Sequence, residues 1–301
     1  MEELYGTSCV YTAKEFDVPA SGTMAHSWVQ SFDNEYEAFK AYAEIYPNNS
    51  LFLVDTYDTL ESGIPNAIKV FDNVLKPKGI RPLGIRLDSG DLAYLSKEVR
   101  KRLDNAGYKD CKICVSNSLD EYLIQSLIDQ NAQIDSFGVG ENLITAKSDA
   151  VFGGVYKLVA LEKNEKLIPK IKISENSEKI TNPGFKKVYR FYDKDTGYAL
   201  ADLIALADEE ISEVEYELFD ENNTWKRKKL INYIVKPLQE QIFKDGKLIY
   251  NCPTLKESSI YAKKQLSSIW DEVKRLRNPQ KYYVDISQKL FDLKQEMLNS
   301  K

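Results

Sequence analysis

Histidine is nearly missing from this chain: His26 is the only one in 301 residues. Any imidazole chemistry must therefore run through one position, in the stretch SGTMAHSWVQ (21–30). Long apolar runs are missing too. SLFLV (50–54) is typical of the longest, far below the roughly 20 residues a membrane-spanning helix needs, so no membrane partner is expected. The opening MEELYGTSC has no basic segment followed by an apolar one, so no leader is read. Concentrated positive charge is lacking: the net charge is −5 and the lysines are spread out. Nucleic acid is thereby excluded as the main partner, because phosphate binding needs a basic face. Cysteine is scarce at four, Cys9, Cys111, Cys114 and Cys252. Cys111 and Cys114 form a lone CxxC without the further ligands a zinc site needs, and CKICV (111–115) reads as a strand rather than a redox helix start. These cysteines read as structural, in a reduced, cytoplasmic setting.

What is present is a soluble globular balance, 43% apolar and 29% charged. To about residue 160, short apolar stretches precede helical ones. VPASG (18–22) leads to HSWVQSFDNEYEAFKAYAEIY, SLFLVDT (50–56) to IPNAIKVFDNVLK, and PLGIRLDS (82–89) to DLAYLSKEVRKRLDNAG. KICVSN (112–117) leads to DEYLIQSLIDQ, IDSFGVG (134–140) to a short segment, and VYKLVAL (155–161) reads as a sixth strand. The alternation predicts an α/β fold with a parallel sheet buried on both faces. Six strands are fewer than a closed eight-stranded barrel requires, so the sheet is either open or short of strands before Met1. LIPKIKIS, KKVYRFYD, LADLIAL, EYELFD and QEQIFKDGKLIY then predict a β-rich appendage, and KESSIYAKKQLSSIWDEVKRL and YVDISQKLFDLKQEML two amphipathic helices. The expected organisation is a catalytic region over 1–161, the appendage over 162–254 and C-terminal helices over 255–301 packing back on the first region.

Polar residues gather where these strands end. Asp55, Thr56, Tyr57 and Asp58 follow SLFLV; Arg86, Asp88, Ser89, Gly90 and Asp91 follow PLGI. Ser116, Asn117 and Ser118 follow KICV, Gly138 and Gly140 follow DSF, and Thr23 and His26 follow VPASG. Each has a plain structural reading: an N-cap for Asp91 or Asp120, a turn for the glycines, an ion pair for Arg86 and Asp88, a core ring for His26. In parallel α/β folds, however, strand C-termini share one rim, and active sites lie there. Carboxylates there suit a Mg²⁺ carrying phosphates or sugar hydroxyls, a glycine turn a phosphate monoester, and arginine a planar anion. The set predicts a site for a phosphorylated sugar and an anionic partner.

GTSCV (6–10), SGTMAHSWVQSF (21–32), LFLVDTYDT (51–59), GIRLDSGDL (84–92), SNSLDEY (116–122) and FGVGENLITAKSDAVFGGVYKLVAL (137–161) together resemble nicotinate phosphoribosyltransferase, as does the tail KYYVDISQKLFDLK. The resemblance implies a βα barrel of the type II phosphoribosyltransferase kind with an additional N-terminal domain, here in partial form. It implies an enzyme of NAD salvage joining nicotinate to phosphoribosyl pyrophosphate, giving nicotinate mononucleotide and pyrophosphate, with ATP hydrolysed through a phosphohistidine. His26 would carry the phosphoryl group. Asp55 and Asp88 would meet magnesium pyrophosphate or the ribose hydroxyls, and Arg86 the pyridine ring or its phosphoribosyl partner. Asn117 and the Gly138–Gly140 turn would lie near the nucleotide phosphate. Related nicotinamide enzymes resemble GTD where this chain has Gly6-Thr7-Ser8; Ser8 removes a charge that would repel nicotinate's carboxylate. Family members are longer at the N-terminus and dimeric, so a homodimer or association with an N-terminal segment is expected. A non-catalytic fragment or subunit of such an enzyme, and a nicotinamide-using relative, are the alternatives.

Overall fold

A computed structural model describes residues 5–151, 153–176 and 179–300. The opening MEEL, read above for a leader, lies outside them. The chain divides into two compact units, Met1–Gly153 and Gly154–Lys301.

The first unit contains α1 (Val10–Phe16), α2 (His26–Gln30), α3 (Glu35–Ile45), β1 (Leu51–Leu53), α4 (Ile64–Val70), β2 (Gly84–Leu87), α5 (Leu92–Asn105), β3 (Lys112–Val115), α6 (Glu121–Asp129), β4 (Ser136–Phe137) and α7 (Glu141–Ile144). The four strands form one parallel sheet in chain order, β1-β2-β3-β4. Parallel neighbours need a crossover, and α4, α5 and α6 supply one each. The strand apolar residues Phe52, Leu53, Ile85, Leu87, Ile113 and Val115 are all buried. Phe52 stacks on Phe39 of α3 at 5.0 Å and on Phe71 at 5.4 Å, tying α3 and the α4 segment to β1.

The long helix expected after His26 is two helices. Asn34 interrupts it: its side chain accepts a hydrogen bond from the Glu37 amide and starts α3 afresh. The helix expected from IPNAIKVFDNVLK is widened at both ends, with π-helical turns at Thr59–Gly63 and Phe71–Leu75 flanking α4. Gly63 makes the first turn possible, because a Cβ there would lie 1.8 Å from the Val54 carbonyl oxygen. VPASG is not a strand of the sheet. It lies alongside Thr7, which donates from its amide to the Pro19 carbonyl and accepts from the Ser21 amide.

The second unit begins with the hairpin β5 (Ala160–Lys163) and β6 (Lys166–Pro169). VYKLVAL therefore becomes a strand only at its end, and pairs antiparallel with its own successor rather than joining the parallel sheet. Next come β7 (Lys186–Asp193), β8 (Ala199–Leu206), β9 (Glu215–Asp220), β10 (Asn223–Ile231), β11 (Tyr233–Pro237), β12 (Phe243–Lys244), β13 (Lys247–Leu248), α8 (Leu255–Ser267), β14 (Val284–Ile286) and α9 (Gln288–Asn299). One sheet has the order β11-β7-β8-β14, its last strand parallel to β8. Three strands of this unit, β10, β11 and β14, were not expected. β10 is hidden in sequence by the charged run WKRKKL, most of whose side chains face out, and β14 by the helical pattern that continues into α9. Ser287 separates β14 from α9, its hydroxyl accepting from the Leu290 amide. Phe191, Leu203, Leu218, Leu230 and Tyr233 form this unit's core.

Candidate active site

The C-terminal ends of β1, β2 and β3 bring their polar residues together with α2. Asp55 follows β1, Asp88 follows β2 and Ser116 follows β3. Asp55 is almost fully enclosed, its side chain 1% exposed. Its Oδ2 accepts two hydrogen bonds at 2.7 Å, from the Asp88 amide and from the Ser89 hydroxyl. Its Oδ1 is buried with no hydrogen-bond partner among the described residues. A buried carboxylate oxygen left unpaired is costly, so this oxygen is suited to a ligand.

Arg86 points from β2 toward the same place. Its Nε donates to the Ser116 hydroxyl (2.8 Å), Nη1 to the Thr23 hydroxyl (2.6 Å) and Nη2 to Asp88 Oδ1 (2.8 Å). Ser116 in turn donates to Asp88 Oδ1. Partial burial works against ionisation of Asp88. The Ser116 hydroxyl and the Arg86 guanidinium outweigh it and hold the carboxyl below its ordinary value.

His26, at the first position of α2, joins this cluster. Nδ1 lies 3.0 Å from the Thr56 hydroxyl, while Nε2 faces Asp88 Oδ2 at 3.5 Å and Asp55 Oδ1 at 4.0 Å. The ring is 38% exposed and so reachable from outside. Four of the expected residues, His26, Asp55, Arg86 and Asp88, are thus within one network. Gly138 borders it: its amide donates to the Val115 carbonyl, and a Cβ would stand 3.3 Å from Ser116 Cβ. Asn117 directly follows Ser116 with φ 96°, a left-handed conformation that costs a non-glycine residue energy and recurs at functional sites. No hydrogen bond among the described residues ties Asn117, Gly140 or Ser8 to the His26–Asp88 cluster. Ser8 is exposed, in the loop that Thr7 anchors.

Four participants were passed over as site residues in the sequence: Thr23, Thr56, Ser89 and Ser116. Each lies in a motif already singled out, and a hydroxyl beside a strand end was the available signal. No three His, Cys, Asp or Glu side chains converge as a metal cage among the described residues. A magnesium ion carrying phosphates needs only one or two carboxylates, and the open Oδ1 of Asp55 beside Asp88 fits that demand.

The family model for the nicotinate phosphoribosyltransferase (NAPRTase) family matches residues 1–200, and that for the nicotinate phosphoribosyltransferase C-terminal domain matches residues 185–294. The chain belongs to the nicotinate phosphoribosyltransferase family. It is 46% identical to the nicotinate phosphoribosyltransferase of Bacillus subtilis (strain 168) over 97% of its own length and 59% of the relative's. Against the Homo sapiens nicotinate phosphoribosyltransferase the identity is 34%, over 88% of this chain and 49% of that one. The crystal structure of human nicotinic acid phosphoribosyltransferase superposes with a TM-score of 0.76 at 26% identity, covering 97% of this chain and 65% of that one. The chain therefore spans about half to three-fifths of the curated relatives' length. The cluster in this family member lies at strand C-termini, where α/β enzymes place their active sites. Among the described residues no helix is long and apolar enough to cross a membrane.

Proposed function

We propose that this chain carries the catalytic centre of a nicotinate phosphoribosyltransferase. In this reading nicotinate's ring nitrogen attacks C1 of phosphoribosyl pyrophosphate, the C1–oxygen bond breaks, and nicotinate mononucleotide and pyrophosphate leave. The observation that carries it is the convergence of His26, Asp55, Arg86 and Asp88 at the ends of β1 and β2. Family membership supports the reaction class. The four parallel strands and their crossovers form one arc of a βα barrel, completed by chain that longer relatives possess. A homodimer is the expected assembly.

Of the guanidinium's five N–H donors, three of those of Arg86 are engaged by Thr23, Ser116 and Asp88. The remaining two have no partner among the described residues and suit an anion, a planar carboxylate or a phosphate. Asp55 and Asp88 would hold Mg²⁺ with the pyrophosphate; when bound, the ion withdraws charge from the leaving oxygens. Asn117 and the Gly138–Gly140 turn would meet the product phosphate through the N–H groups of Asn117, Val139 and Gly140, the Gly138 amide being engaged by the Val115 carbonyl.

His26 would take the γ-phosphoryl group of ATP: a nitrogen–phosphorus bond forms and the bond to ADP's oxygen breaks. Water later cleaves the phosphohistidine to phosphate, returning the imidazole. Ser8 would admit nicotinate's carboxylate where an aspartate would repel it.

The test is a turnover assay of the chain with nicotinate, phosphoribosyl pyrophosphate, Mg²⁺ and ATP, alone and mixed with the N-terminal part of a full-length relative. Nicotinate mononucleotide is expected, in preference to the nicotinamide product. Failure under both conditions, beside an active full-length relative, would overturn the reading.

A further inference from the structure

The His26 ring is only partly covered, and a hydrogen bond orients it. It is 38% exposed, and its single hydrogen bond among the described residues runs from Nδ1 to the Thr56 hydroxyl at 3.0 Å. The carboxylate contacts of Nε2, at 3.5 and 4.0 Å, are ion-pair distances rather than full hydrogen bonds. A histidine's outer torsion has two broad, nearly equivalent settings. With the ring this open, something must choose between them, and the partner of one nitrogen fixes the role of the other. Thr56 is itself well placed to choose. It directly follows Asp55, whose carboxylate is pinned by the Asp88 amide and the Ser89 hydroxyl. It is followed by the turn that Asp58 closes by accepting from the Leu60 and Glu61 amides. Thr56 is thus set between two fixed points on the β1 loop.

We infer that Thr56 is a positioning residue for His26: its hydroxyl selects the ring orientation that keeps Nε2 on Asp55 and Asp88. With carboxylate acceptors on the Nε2 side, the proton resides on Nε2, and the Thr56 hydroxyl donates to the lone pair of Nδ1, the nitrogen that would take the phosphoryl group once the hydroxyl gives way to ATP. Loss of the hydroxyl lets the ring exchange between its two settings. The inference rests on the reading of His26 as phosphoryl acceptor only for its consequence in catalysis, since the ring geometry can be measured without turnover.

One histidine per chain makes the measurement direct. A tag-free chain labelled with ¹⁵N in histidine gives one imidazole spectrum. The native chain should show a single ring environment with Nε2 protonated and Nδ1 accepting a hydrogen bond. Thr56→Val should show exchange-broadened or doubled ring signals, and Thr56→Ser should restore the native spectrum; Thr56→Ala replaces the valine variant if that one fails to fold. In parallel, labelling of His26 from γ-³²P-ATP should be at least tenfold slower in Thr56→Val than in Thr56→Ser. A valine variant with the native ring spectrum, a serine variant as disordered as valine, or a native ring protonated on Nδ1 would each overturn the inference. If the chain takes no phosphoryl group, alone or mixed with the N-terminal part of a full-length relative, while its ring responds to Thr56 as expected, the positioning role stands and the reading of His26 as phosphoryl acceptor fails.

Discussion

At the residue scale, the proposed function gives one site two jobs. In that reading the glycosyl transfer would depend on Asp55, Asp88 and Arg86, which would place the anionic groups and the metal, and coupling to ATP would depend on the His26 imidazole. His26→Ala is therefore expected to abolish stimulation by ATP and to leave a slower, ATP-independent synthesis, both read by following nicotinate mononucleotide with and without ATP. Unchanged stimulation would remove His26 from the coupling step. Much of this site was legible in the sequence because polar residues at consecutive strand ends must share a rim. The hydroxyls of Thr23, Thr56 and Ser116 were harder to read. Serine and threonine beside a strand end are common turn residues, and only the distances distinguish a turn from a bond to Arg86 or His26.

At the scale of elements, the tightest constraint is the approach of Gly63 to Val54. An alanine methyl 1.8 Å from a carbonyl oxygen cannot be accommodated without moving the turn. Gly63→Ala should cost about 3 kcal/mol or more in urea denaturation. It should also disturb the loop that carries Asp55 and Thr56. In the second unit, Asp285 of β14 offers a test of sign. Burial, and then the negative charge of Asp220, push its carboxyl up to about 6. The folded chain thus holds that proton more tightly than the unfolded chain, whose carboxyl titrates near 4. Stability attributable to Asp285 is full below about pH 4, is lost as pH rises toward about 6, and stays lost above. Asp285→Asn should raise Tm near pH 7, by an amount that vanishes toward about pH 4. The helix–strand alternation of the first unit was readable because its strands are continuous apolar runs. β10 and β14 were not, since tertiary pairing overrides local pattern for a charged edge strand and for a strand that runs into a helix.

At the scale of the molecule, the two units meet in sequence at Gly153–Gly154. Val155 and Tyr156 beyond that point are 77% and 101% exposed. Exposed extended chain is where proteases cut first, so brief chymotrypsin treatment should cleave after Tyr156 and leave fragments corresponding to the two units. Early cleavage elsewhere, with Tyr156 intact, would contradict this. The family was legible in motifs spread over the whole length, whereas the pairing of β14 with β8 depends on residues some 80 apart and leaves no local trace. The bond from Arg86 to Thr23 spans 63 positions, that to Ser116 spans 30, and the one from the Asp88 amide to Asp55 spans 33. During synthesis, then, the emerging polypeptide cannot complete the Asp55–Arg86–Asp88–Ser116 cluster until Ser116 has left the ribosome and β3 has docked on β2. The centre arrives as a whole, late, and only in company with the fold that holds it.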